Sequence, residues 1–119
     1  ILVLMSENLL EIGLADGIAD EAVIVVNAEK PLPVDKRQWL VEAEKIAVKH
    51  NLVFGGEPFI NVPMLGALCR VLDLPFPVLE ETLQEQWSED KAKPNIAAAR
   101  EAYNTVWSAG QAKEENSNG

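Results

Sequence analysis

Apolar and polar positions alternate in blocks along this chain, and the blocks have two periods. ILVLM (1–5) and AVIVVN (22–27) are short continuous apolar runs, the second rich in β-branched residues. Such runs predict strands buried on both faces. Between them Ser6 can cap a helix, Glu7 sits in its first turn, and Leu10, Leu14 and Ile18 recur at four-residue spacing. Gly13 interrupts that face and Asp16-Gly17 closes it. Strand, helix and strand within thirty residues predict a βαβ unit with a parallel sheet and a right-handed crossover.

The two prolines of EKPLPVDK (29–36) mark a connecting loop. In WLVEAEKIAVKHN (39–51), Trp39, Ala43, Ile46, Ala47 and His50 fit one helical face, but residues 39–42 equally fit a short strand leading into a helix. LVFGGEPF (52–59) predicts a strand end and a Gly-Gly turn. The most apolar run, FINVPMLGALCRVLDLP (59–75), contains Arg70 and Asp73 and is too short for a bilayer span, which needs about 20 apolar residues. Helical indexing places Leu65, Leu68, Cys69 and Leu72 on one stripe, expected to be the buried one. Asn61 is the expected N-cap, Pro63 falls in the first turn, Pro75 stops the helix, and Arg70 and Asp73 pair at the surface. Pro77 opens another helix with Leu79, Leu83 and Trp87 in line. A last helix is expected from Pro94-Asn95, with Ile96, Ala99, Tyr103, Val106 and Trp107 on its buried face and Gly110 just past its end. Residues 1–110 thus form one domain, and QAKEENSNG (111–119) a polar, disordered tail.

Composition narrows the chemistry. The 119 residues carry 19 acidic and 10 basic side chains, a formal net charge of −9. That argues against nucleic acid or an anionic membrane as partner, since both require clustered cations. The single cysteine, Cys69, excludes an intrachain disulfide framework and an iron–sulfur or Cys-rich zinc site built by this chain alone. A reducing cytoplasm is the expected compartment. ILVLM lacks the basic flank and cleavage site of a signal peptide. The chain opens on a strand already under way, without an initiator Met, which reads as a cut or processed polypeptide.

No catalytic constellation emerges. His50, next to Lys49 at a helix end, reads as a capping or surface residue. Gly55-Gly56 lacks the spacing of a phosphate loop. Glu80, Glu81 and Glu85 read as a solvated face, and Cys69 as a small core residue. Gly66 is the informative oddity, because a mid-helix glycine costs about 1 kcal/mol against alanine. Close approach of another backbone compensates for that cost, either inside the chain or at a subunit contact.

In order along the chain, ILVLMSENLL, AVIVVNAE, EAEKIAVKHN, Asn61-x-x-Met-Leu-Gly-Ala-Leu, the Leu74-Pro75 step, LEETLQEQW and Pro94-Asn-Ile-Ala-Ala-Ala-Arg-Glu-Ala-Tyr103 together resemble the gamma subunit or domain of 2-oxoacid:ferredoxin oxidoreductases, the pyruvate, 2-oxoglutarate, 2-oxoisovalerate and indolepyruvate enzymes. The resemblance implies a three-layer α/β domain with a mostly parallel sheet flanked by helices, here without the family's N-terminal strands and glycine loop. It implies a complex that decarboxylates a 2-oxoacid on thiamine diphosphate with Mg, passes electrons through iron–sulfur clusters to ferredoxin, and uses coenzyme A. Those cofactors would be held by the alpha and beta subunits, against which the gamma domain packs. No catalytic, cofactor-binding or metal-ligating residue is assigned to this chain. Asn61, Gly66, Arg70 and Asn95 are the expected packing or interface positions. The alternative reading is a non-catalytic α/β interaction module derived from that fold.

Overall fold

The computed structural model describes residues 2–5, 23–33 and 37–109. The helix expected between Ser6 and Asp16-Gly17, the expected C′ residue Gly110 and the polar tail lie outside these residues. The chain is mixed α/β. Its main sheet contains β1 (Leu2–Leu4), β2 (Val23–Asn27), β3 (Arg37–Val41) and β6 (Trp107–Ser108), in that spatial order. The β1–β2 and β2–β3 pairings are parallel, and β3–β6 is antiparallel, with Leu40 opposite Trp107.

The continuous apolar run of β2 has its cause in burial on both sides. Ile24, Val25 and Val26 are fully buried. Val25 joins Val41 in the core beneath α1 (Ala43–Lys49), α2 (Asn61–Val71) and α4 (Glu89–Thr105). Ile24, Val26 and Leu40 face the other way, packed with Ala28, Leu32 and Trp107. Gln38 is buried on this second face. Its Oε1 accepts from the Leu32 amide at 2.7 Å, and its Nε2 donates to the Leu32 carbonyl at 2.9 Å. The side chain thereby satisfies both backbone groups of Leu32 in the loop after β2, as buried polar groups require.

Asn27 ties together the carboxyl ends of the parallel strands. Its Nδ2 donates to the Met5 carbonyl at 3.1 Å, and its Oδ1 accepts from the Ala43 amide at 3.0 Å. The latter bond satisfies the first amide of α1, whose own N-cap residue, Glu42, makes no side-chain cap. Of the two readings open for residues 39–51, the strand-then-helix one is observed.

Two helix ends share one device. After α1, Asn51 adopts φ 61°, its amide bonds Val48 O and the Leu52 amide bonds Ala47 O. After α2, Asp73 adopts φ 59°, its amide bonds Arg70 O and the Leu74 amide bonds Cys69 O. Both are Schellman closures with Asn or Asp in the left-handed position that glycine usually fills. The Leu52–Phe59 segment carries the hairpin β4 (Val53–Phe54) and β5 (Glu57–Pro58), turned on Gly55 and Gly56 at φ 60° and 81°. Two successive positive φ values are those of a type I′ turn, and they explain the Gly-Gly pair.

Three sequence expectations are corrected. Asn61 is not the N-cap of α2; Ile60 holds that position, without a side-chain cap bond, and Asn61 is the first helical residue, exposed. The Leu65–Leu68–Cys69–Leu72 stripe is not the buried one: Leu65 and Leu72 are exposed and Leu68 is half-buried, while Val62, Pro63, Met64, Gly66, Ala67 and Cys69 face inward. The reason is steric, because small side chains admit a neighbouring helix that leucines would hold off. The last helix starts at Glu89, not Pro94, and ends at Thr105, so Trp107 lies in β6 rather than on a helical face. Glu89 and Asp90 occupy its first turn, where the helix dipole favours anions. Pro94 inside the helix denies a donor to the Asp90 carbonyl; Asp90 is exposed, so water can take that bond.

Candidate functional site

The site-bearing part of the molecule is the helical layer. α2, α4 and α3 (Phe76–Gln86) enclose a second core of Val62, Cys69, Leu79, Leu83, Ala92, Ile96 and Ala99, away from the sheet. Pro77 stands in the first turn of α3, and Leu79 and Leu83 carry its buried face, in line with the spacing read from the sequence. Burial pushes the Cys69 thiol above its ordinary value, which disfavours the thiolate that nucleophilic chemistry needs.

Gly66 lies at the closest point of α2 and α4. A methyl group built on it would overlap the Ala99 carbonyl oxygen and come within 2.9 Å of the Ala99 carbonyl carbon. The backbone that approaches Gly66 therefore belongs to this chain. Asn95, on α4, is buried; its Nδ2 donates to Lys91 O at 2.8 Å, while its Oδ1 has no hydrogen-bond partner among the described residues. Arg70 is half-exposed and stands 3.9 Å from Asp73, too loose and too wet to contribute much. Its guanidinium also lies over the Tyr103 ring, 5.9 Å from the centroid. Tyr103 packs edge-on against Phe76, and Phe76 is covered by Arg100 at 5.0 Å, a cation–aromatic ladder along the rim of the helices. The Tyr103 hydroxyl donates to the Leu74 carbonyl at 2.7 Å, fastening the end of α2. Thus the structure does not gather Asn61, Gly66, Arg70 and Asn95 into one site. Gly66 is internal to the α2–α4 packing, Asn95 is buried on α4, and Asn61 and Arg70 are on the surface.

Sequence reasoning also misses Glu101. His50 Nε2 lies 2.9 Å from Glu101 Oε1, and Lys49 Nζ reaches the same oxygen at 3.0 Å. Burial pushes the Glu101 carboxyl up, but the hydrogen bonds and charges of His50 and Lys49 outweigh it and hold the group below its ordinary range. Two donors from α1 on one acceptor from α4 make an electrostatic tie between helices. A separation of 51 residues leaves no local signal for it.

A groove of about 480 Å³ runs between α3 and α4, floored by Ala92 and Ile96. Arg100 on its wall is already bridged to Glu80 at 3.1 Å. Among the described residues no three His, Cys, Asp or Glu side chains come together as metal ligands, and no helix is long and apolar enough to cross a membrane.

A model of the pyruvate ferredoxin/flavodoxin oxidoreductase family matches residues 1–105. The chain belongs to this family. Within it, the chain is 27% identical over 109 residues to the common subunit gamma of pyruvate/ketoisovalerate oxidoreductases from Pyrococcus furiosus, a match covering 87% of this chain and 59% of the relative. The fold is that of the pyruvate oxidoreductase subunit PORC from Thermotoga maritima, with a TM-score of 0.76 and 24% identity over 89% of this chain and 62% of that one. This member of the pyruvate ferredoxin/flavodoxin oxidoreductase family therefore spans about three fifths of each relative's length.

Proposed function

We propose that this chain is a gamma-type component of a 2-oxoacid oxidoreductase, a cytoplasmic subunit that packs against the catalytic alpha and beta subunits and supports oxidative decarboxylation without performing it. The observation that carries this reading is the family match running over residues 1–105, together with likeness to a gamma subunit in sequence. The single cysteine does not fit an iron–sulfur cluster, and the Gly55-Gly56 pair does not fit a phosphate loop. An iron–sulfur cluster needs several thiolates, and the one thiol here is buried and held protonated. Gly55-Gly56 turns a hairpin instead of opening a helix onto a phosphate. In this reading thiamine diphosphate with Mg, iron–sulfur clusters and coenzyme A belong to the partners, and ferredoxin is the acceptor of the assembled enzyme.

Tagged chain purified under native conditions from its own cells tests the reading. The expected result is co-purification of a thiamine-diphosphate-binding subunit and an iron–sulfur-bearing subunit, and of 2-oxoacid-dependent reduction of an acceptor dye. Recovery of a monomer free of both, from cells that retain 2-oxoacid oxidation when the chain is deleted, overturns it in favour of a free-standing interaction module.

A further inference from the structure

We propose that the outward face of α2, together with Val78, Glu81 and Glu85 of α3, docks on another subunit of the oxidoreductase that presents an apolar patch rimmed by lysine or arginine. The proposal rests on the gamma-type reading and names the surface it uses.

Leu65 on α2 and Leu72, its C-cap residue, stand seven residues apart, two turns along the same side, with the half-buried Leu68 between them. They are 39% and 48% exposed. Past the end of α2, Leu74 is 43% exposed and Val78, on α3, 57% exposed. The residue that opens this side of α2, Asn61, is polar but uncharged. A solvated helix normally places its charges here, and an uncharged leucine side on the surface of an otherwise acidic domain marks an interaction face.

Charge selects the occupant. Glu81 and Glu85 follow Val78 at three- and seven-residue spacing, on the same side of α3, both exposed. Among the described residues neither has a salt-bridge partner. A second copy of this chain would have to meet the face by its own equivalent, bringing these carboxylates together in a molecule of net charge −9. An anionic membrane is repelled by the same groups. A surface with apolar residues opposite the leucines and cations opposite Glu81 and Glu85 complements both features.

The test compares tagged full-length chains in cells that contain the other subunits. Leu65→Glu with Leu72→Glu is expected to lower recovery of the thiamine-diphosphate-binding and iron–sulfur subunits by about tenfold or more, because two carboxylates would be buried at the contact. Val48→Glu, on exposed α1 surface, is expected to recover them as the unaltered chain does. Glu81→Lys with Glu85→Lys changes only exposed groups, so it keeps the fold. It is expected to weaken recovery and to flatten its dependence on salt. Wild-type recovery by both double variants overturns the docking face while leaving the gamma-type reading intact. Failure of the unaltered chain to recover either subunit overturns both. Self-association of the unaltered chain in sedimentation, abolished by the leucine variant, overturns the assignment of the occupant.

Discussion

The two sides of α2 differ in an instructive way. The side that packs carries the smaller residues, Gly66 and Ala67 among them, and lets the α4 backbone come against its own. The opposite side carries Leu65 and Leu72 and stays in water. Hydrophobicity alone would rank these sides the other way. What decides is close packing: at a helix crossing, a missing side chain brings in every atom of the neighbouring backbone, whereas a leucine keeps it at a distance. A contact built that way is sensitive to added volume and indifferent to charge.

The largest effect is therefore expected from Gly66. Gly66→Leu should prevent α4 from seating, costing at or above the upper end of the 1–3 kcal/mol usual for overpacking. The variant should be unfolded or oligomeric by circular dichroism and sizing. Even Gly66→Ala, normally about 1 kcal/mol better in a helix, should destabilise, because its methyl group meets the Ala99 backbone rather than a side chain that can turn away. A raised melting temperature in Gly66→Ala would break the comparison at its centre.

A smaller effect separates the two holds on α4. Against α2 it is held by uncharged packing; against α1 it is held by Lys49 and His50 on Glu101. The Glu101 carboxyl sits below its ordinary value of 4.5 in the folded chain, so its contribution is fully present above that value and fades as the pH falls through the lower folded one. Glu101→Gln should cost about 0.2–1 kcal/mol near neutral pH, as a largely solvated ion pair does. In melts the gap between variant and parent should be full near neutral pH and narrow as the pH is taken well below 4.5 and Glu101 becomes protonated. The deficit of Gly66→Ala should persist at both. A pH-independent Glu101→Gln deficit would mean that the residue holds α4 by packing instead.

Much of this fold was legible in the chain because its signal is local. The β2 run is apolar on both faces, and the α3 line from Leu79 to Leu83 obeys the helical period. Gly66 was legible too, as a residue that costs helix stability unless something comes close. The rest needed distance information. Periodicity weights leucine heavily and glycine not at all, so it chose the wrong side of α2. Asn27, Gln38 and Glu101 act on partners far along the chain or in loops, and no spacing rule finds them. Asn61 looked like a cap because Asn-x-Pro suits a helix start, yet the helix began one residue earlier in register. The family pattern came through because it depends on the order of many weak segments rather than on any one contact.

The smallest expected effect lies on the outward leucines, and it separates a docking face from a structural one. Leu65→Gln and Leu72→Gln each remove side chains that are already roughly half in water, so each should cost no more than about 1 kcal/mol in the isolated chain. The same exchange at Met64, buried one residue away, would strand a polar amide in the core beside Val25 and Val41 and should cost about 3 kcal/mol or more. Denaturant titrations of the three variants, read as midpoint shifts at constant slope, make this measurable. If the leucine variants lose as much as Met64→Gln, the stripe belongs to the core after all. If they lose little, the leucines contribute almost nothing to folding, which is what the proposed docking face requires.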